Sequence, residues 1–236
     1  MDLILAFVSL NKFAVFEDIS LSPVNLLSFV LSTPSAIPKT LAVMLRTTRL
    51  RKLKIQMEQN KQAYNKIADQ WAESRDGSFL SKLVVEFASK VKPKGKILDI
   101  GCGTGFPIDT YLSNREFAVT GIDFSEKLLQ KAISRNLPNT TLHLCNFFDF
   151  VPNERYDGII AFDSFFHFPK QKQRLIYNRV AEWMNDEAYL LFTHGNDDGE
   201  NSQGEMFSEK FYYSSLNKVK LHLYNTDHPD HLFRSS

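Results

Sequence analysis

Cysteine is nearly absent from this 236-residue chain, which carries only Cys102 and Cys145. Two thiols without a paired-ligand spacing exclude a disulfide scaffold and the usual zinc patterns, and they suit a reducing, cytoplasmic compartment. Net charge is missing as well: 28 Lys and Arg stand against 27 Asp and Glu, a formal balance of +1. No global field therefore recruits nucleic acid. Long apolar runs are also lacking. The run over 1–16 contains Asp2 and Lys12, and that over 21–31 contains Pro23. Neither reaches the roughly 18 uninterrupted residues of a membrane span. A start of Met1-Asp2 lacks the positive opening of a secretory leader.

What is present is an ordinary globular balance, 43% apolar and 23% charged, with a heavy aromatic load of 20 Phe and 8 Tyr. The length suits one α/β domain with an appendage, or two small domains. Residues 1–56 differ in composition from the rest. After Pro34 and Pro38, the basic residues Arg46, Arg49, Arg51, Lys52 and Lys54 alternate with Leu45, Leu50, Leu53 and Ile55. A membrane-surface or nucleic-acid patch is one reading of that run, and a solvated helix face or poorly ordered extension is the preferred one. A second possibility is a non-native extension upstream of a natural start at Met57. Residues 1–56 are therefore expected to be an extension of unknown role, and 57–236 the functional domain.

The domain opens with helical spacing at Ala63, Tyr64, Ile67, Ala68 and Trp71, a break at Asp76-Gly77-Ser78, and a second helical run over 79–90. After Pro93-Lys94-Gly95 comes the key stretch, Lys96-Ile-Leu-Asp-Ile-Gly-Cys-Gly-Thr-Gly105. A short apolar run ending in glycines reads as a buried parallel strand, followed by a turn whose backbone approaches a ligand closely. A dinucleotide fingerprint would need its third glycine at position 106, and Phe106 stands there. After a helix over 108–114, the strand 117–123 ends in Asp123, placed to accept bonds from both hydroxyls of a ribose. The competing role for Asp123 is to cap the next helix, with Ser125 as a rival cap. A third strand over 141–149 ends near Asn146, an amide, and Phe147, a flat apolar face, which together suit an adenine.

In order, Leu98-Asp-Ile-Gly-Cys-Gly-Thr-Gly105, Gly121-Ile-Asp-Phe-Ser125 and Tyr156-Asp-Gly-Ile-Ile160 resemble the class I S-adenosylmethionine-dependent methyltransferases, most of all the small bacterial-type ones that act on small molecules. The likeness covers roughly residues 60–215. It implies an α/β fold with a doubly wound, mostly parallel sheet of Rossmann-like methyltransferase type. S-adenosyl-L-methionine would lie across the carboxyl ends of the first strands. By that resemblance Gly101, Cys102, Gly103 and Gly105 wrap the methionyl part and Asp99 orients it. Asp123 takes the ribose, Asn146 and Phe147 flank the adenine, Phe124 and Phe162 join the cofactor set, and Tyr64 closes the pocket. Many relatives carry an acid where Asn146 stands.

Tyr156 to Asp163 reads as a fourth strand, and Ser164-Phe-Phe-His-Phe168 crosses the rim beyond it. His167 is the candidate general base, its unperturbed pKa lying near neutrality. A hydrogen-bonded structural histidine is the preferred alternative. A helix over 170–184 and a strand over 188–193 follow, joined by Asn185-Asp-Glu187 as a turn. The polar stretch 194–204 is expected to be a lid or substrate loop, and no metal site is proposed. Phe207, Phe211, Tyr212 and Tyr213 are assigned either to the pocket or to the core. Beyond them 219–224 alternates like one strand, so the C-terminal edge is expected to be shortened. The expected reaction is methyl transfer to a small-molecule acceptor, with no nucleic-acid partner and no membrane span. The rivals are an RNA or protein methyltransferase and a cofactor-binding but inactive protein. Against a base-modifying enzyme, Phe162-Asp-Ser-Phe165 replaces the Pro-Pro motif expected there, and no basic stripe lies outside 46–54.

Overall fold

Five apolar runs pair into one sheet. In the computed structural model β1 (Lys96–Ile100), β2 (Ala118–Asp123), β3 (Thr140–Leu144), β4 (Tyr156–Ala161) and β5 (Met184–Phe192) lie in the order β3-β2-β1-β4-β5, with every neighbouring pair parallel. The described residues are 39–76, 79–193 and 202–214, with the two-residue strands Ile4–Leu5 and Arg234–Ser235. Parallel strands need crossover connections, and helices supply them on both faces.

The helices are α1 (Lys39–Asp76), α2 (Lys82–Lys90), α3 (Ile108–Asn114), α4 (Glu126–Ser134) and α5 (Lys170–Trp183). Side-chain alternation divides each strand between two cores. Ile97, Ile160 and Leu191 pack with Val84 and Phe87 of α2 and Leu112 of α3. Leu98, Ile159, Leu190 and Phe192 pack with Ile176, Val180 and Trp183 of α5. Both faces are dry, which is why β4 is buried at every position. Gly158 in β4 lets α2 approach: a Cβ there would lie 2.7 Å from Phe87 Cζ and 2.8 Å from Val91 Cγ2. Gly158→Ala is expected to lower the melting temperature by roughly 4–8 °C, the effect of overpacking a core that cannot give. An unchanged thermal unfolding curve would contradict this packing.

A third cluster lies over the carboxyl ends of the strands. Ala63, Tyr64, Ile67 and Ala68 of α1 meet Leu128 of α4 and Phe211 of a hairpin formed by β6 (Ser202–Met206) and β7 (Glu209–Tyr213). Gln173 fastens the hairpin's end to α5, donating from Nε2 to Ser214 O at 2.7 Å and Phe168 O at 2.9 Å.

Several expected boundaries shift. α1 starts at Lys39 and runs unbroken through residue 57, where the functional domain was expected to begin. α2 starts at Lys82 because Ser81 caps it, its side chain accepting from Leu83 N. β3 ends at Leu144, leaving Asn146 and Phe147 in the loop beyond it. β5 starts at Met184 instead of 188: the Asn185-Asp-Glu187 segment enters the strand directly, with Glu187 at φ 61 and the register slipped between Tyr156 and Gly158. The stretch expected as a loop over 194–204 yields the first residues of β6, and 194–201 lie outside the described residues. So do 219–224 and the expected C-terminal edge.

Candidate functional site

Where the strand order reverses, between β1 and β4, the chain leaves a cavity at the carboxyl ends of the strands. This is the place where open α/β sheets bind their ligands. Its floor is the turn after β1, its sides are the loops after β2, β3 and β4, and α1 forms its roof. The lining includes Tyr64, Trp71, Arg75, Asp99, Gly101, Cys102, Gly103, Asp123, Phe124, Asn146, Phe147, Phe162 and His167. Every residue expected from the sequence is on this wall except Gly105. Gly105 lies beneath the turn, beside Ala132 and Asp109.

The turn takes its shape from glycine. Gly101 has φ +82, and a Cβ there would sit 2.7 Å from Ser164 Cβ. Both the left-handed backbone and the crowding with the β4 loop exclude a side chain. Asp123 holds the same turn from the next strand. Its Oδ2 accepts from Gly103 N at 2.9 Å and its Oδ1 from Ser125 N at 2.7 Å. Ser125, not Asp123, is the cap of α4, its hydroxyl accepting from Leu128 N. The Asp123 carboxylate is 5% exposed, and burial pushes its pKa up to about 6 against those amide bonds. A carboxylate has about four lone-pair sites, more than the backbone amides around Asp123 use, so it can still accept from a ligand donor.

Two more buried acids stand below. Asp99 and Asp109 are 2% and 0% exposed, and their carboxyls stand close enough to share a proton. Among the described residues no donor reaches either Asp109 oxygen. Two acceptors bond only through a shared proton, so the pair carries at least one proton until pH rises well above the usual carboxylate range. Burial is the main cause: it raises Asp99 well above its ordinary value and Asp109 to about 6. The cavity is thus strongly acidic, and Arg75 is its cation. Arg75 stacks 4.4 Å above the Trp71 ring and pairs with Asp163 Oδ2 at 2.9 Å.

His167 is not poised as a base. It sits in a 3-10 turn (Phe165–His167) against Phe166, Phe211 and Tyr213. Nε2 meets Tyr64 Oη at 2.7 Å, and Nδ1 lies 3.2 Å from both Asn60 Nδ2 and Tyr212 O. Burial lowers its pKa to about 4, so the ring is neutral and both nitrogens are engaged. This corrects the general-base expectation in favour of a hydrogen-bonded histidine. Asn146 is also partly engaged, its Oδ1 accepting from Phe148 N at 3.0 Å. Phe147 is 3% exposed and turns much of its ring into the α5 core, against Trp183 and Phe168.

Asn60, Trp71 and Arg75 were missed from the sequence. The signal was there: 60, 64, 67, 71 and 75 recur at helical spacing on one face of α1.

Residues 97–187 match a family model described as a methyltransferase domain. In sequence the chain is 30% identical over 118 residues to 24-methylenesterol C-methyltransferase 3 of Arabidopsis thaliana, covering 42% of this chain and 32% of that protein. It is 35% identical over 109 residues to the putative methyltransferase YqeM of Bacillus subtilis (strain 168), covering 42% of each. The chain therefore spans well under half the length of these curated relatives. In structure it resembles the DhpI–SAH complex, with TM-score 0.55 and 17% identity over 69% of this chain and 80% of that one. The matched segment carries most of β1, the glycine turn and Asp123 in order. Over residues 97–187 the chain is thus similar to methyltransferase domains, and its sheet has the fold of the DhpI structure.

Proposed function

We propose that this domain transfers a methyl group from S-adenosylmethionine to a small-molecule acceptor. The observation that carries the reading is the cavity itself: a glycine turn with no room for a side chain at Gly101, a desolvated Asp123 with lone pairs to spare, and an aromatic roof.

The residues suit the cofactor part by part. Asp123 would accept from the ribose hydroxyls with the oxygen capacity that Gly103 and Ser125 leave over. Phe124, Asn146 and Phe147 border the space for an adenine. Gly101, Cys102 and Gly103 would border the amino-acid end, which is zwitterionic and meets acid at Asp99 and a cation at Arg75. Bound there, S-adenosylmethionine supplies a methyl group already activated on a sulfonium. What remains for the protein is alignment of the acceptor and exclusion of water. The rings of Tyr64, Trp71, Phe162 and Phe168 line the cavity and offer faces that favour a cation. No proton acceptor of the His167 kind is needed for an acceptor that is already nucleophilic.

A cytoplasmic setting suits the free thiols of Cys102 and Cys145. No helix of the described residues is long and apolar enough to cross a membrane.

The test is turnover. The full chain, given methyl-labelled S-adenosylmethionine and a panel of amines, phenols, thiols and carboxylates, is expected to label at least one acceptor class and release S-adenosylhomocysteine in equal amount. Binding of the donor with no transfer across the panel would favour the inactive reading.

A further inference from the structure

Asn60 is 1% exposed and has only one way to place its amide. Tyr212 N donates to Asn60 Oδ1 at 2.8 Å, and a backbone N–H requires an acceptor there. The amide nitrogen must then face the other way, where it lies 3.0 Å from Tyr212 O and 3.2 Å from His167 Nδ1. An NH2 group has two hydrogens, and these two neighbours take one each.

That count fixes the histidine. With a donor aimed at it, Nδ1 must offer its lone pair. The neutral ring has one N–H, so it sits on Nε2, which faces Tyr64 Oη at 2.7 Å. The opposite tautomer would send Nδ1–H toward Tyr212 O, also 3.2 Å away. It would set two donors against each other at Asn60 and crowd two onto one carbonyl. With Nε2–H donating to Tyr64 Oη, the phenol's own hydrogen is released from the ring. Tyr64 lines the cavity, and its hydroxyl is desolvated far above its ordinary range, so it stays protonated.

We propose that Asn60 and His167 are positioning residues that orient the Tyr64 hydroxyl as a hydrogen-bond donor into the cavity, toward an oxygen of the bound cofactor. This rests on the methyl-donor reading above. The matching chemistry is a lone pair on the ligand, either a ribose oxygen or the carboxylate of the amino-acid end. The relay runs in one direction: Asn60 N–H to Nδ1, Nε2–H to Tyr64 Oη, Tyr64 O–H to ligand. It also ties the hairpin, the 3-10 turn and α1 to one ligand atom.

Long-range 1H–15N correlation spectra of the free 15N-labelled chain, with His167→Gln assigning the signal, read the tautomer directly. The expected result is a protonated Nε2 in the native chain. In Asn60→Leu the proton should move to Nδ1, since Tyr212 O is then its remaining partner. Calorimetry with S-adenosylhomocysteine and with 5′-methylthioadenosine, which lacks the amino-acid end, reads the donor. Tyr64→Phe and Asn60→Leu should each weaken S-adenosylhomocysteine by about tenfold, and the double variant should lose no more than Tyr64→Phe alone. Loss for both ligands places the accepting oxygen on the ribose, and loss for S-adenosylhomocysteine alone places it on the carboxylate. A native Nδ1–H ring overturns the relay. Unchanged affinity of Tyr64→Phe for both ligands overturns the donor role. If the native chain binds neither ligand, the methyl-donor reading fails and takes the ligand side with it. The tautomer of the free protein still decides the relay.

Discussion

Asp123→Ala is expected to weaken S-adenosylhomocysteine binding by about 10- to 100-fold, and to weaken 5′-methylthioadenosine as much. A hydrogen bond from a ligand hydroxyl to a buried carboxylate contributes about 1.5–3 kcal/mol, and about 1.4 kcal/mol is tenfold in affinity. The equal effect on both ligands follows because both carry the ribose and only one carries the amino-acid end. The substitution also strips Gly103 N and Ser125 N of their acceptor, so the floor of the cavity loses its tie to β2. Asp123→Asn separates these effects. It keeps one carbonyl oxygen for a backbone amide but surrenders the charge, and it should fall between the native chain and Asp123→Ala. Titration calorimetry checks the series. Equal affinity of all three proteins for both ligands would remove Asp123 from the ribose site.

The second large effect is a gain in stability from damaging the site. Asp109→Asn is expected to stabilise the ligand-free chain at pH 8 by roughly 1–3 kcal/mol, and to make little difference near pH 4. Burial raises Asp109 to about 6 and Asp99 well above its ordinary value, so folding favours their protonated forms. A carboxyl with a raised folded pKa contributes stability that is complete below its unfolded value, near 3.8, and is lost as pH climbs through the folded value. At pH 8 the native chain has lost that contribution at Asp109. An asparagine there has no charge to bury, and its NH2 can donate to the Asp99 carboxylate. His167 works in the opposite sense, since its lowered pKa costs stability as pH falls from about 6.5 toward 4. The comparison should therefore be variant against native at each pH. Thermal or urea unfolding of the two proteins at pH 4, 6 and 8 measures it. An unchanged or lowered stability at pH 8 would contradict the shared-proton picture. The acidity retained at this cost fits a cavity that receives a cationic ligand.

What could be read in the sequence and what could not divide along physical lines. β1, its glycine turn and Asp123 were legible because a strand dry on both faces must be an apolar run, and the ligand lies at its carboxyl end. The spacing from Gly105 to Asp123 then measures one helix and one returning strand. The β6–β7 hairpin was illegible for a matching reason. Its two turn residues both have positive φ, 50 at Phe207 and 64 at Ser208. Such turns usually announce themselves with Asn-Gly or Asp-Gly, and here a bulky aromatic takes the strained position. Without that signal Phe207, Phe211, Tyr212 and Tyr213 could be assigned to core or pocket alike. Phe211 turned out to be fully buried beneath Tyr64, and Phe207 is 42% exposed. His167 shows another limit. Its residue type suggested a base, but its partners Asn60 and Tyr64 lie 107 and 103 residues away. No local pattern records a contact that only the closing of α1 over the sheet creates. Asp109 stands in the first turn of α3 with nothing local to mark it, and only its burial beside Asp99 gives it a role.

The central claim is that the cavity between the turn after β1 and the roof of α1 holds the methyl donor. Isothermal titration of the full chain with S-adenosylmethionine and S-adenosylhomocysteine tests it most directly. The account predicts saturable binding of both at one ligand per chain, weakened by Asp123→Ala. No binding of either to a folded native chain would contradict it.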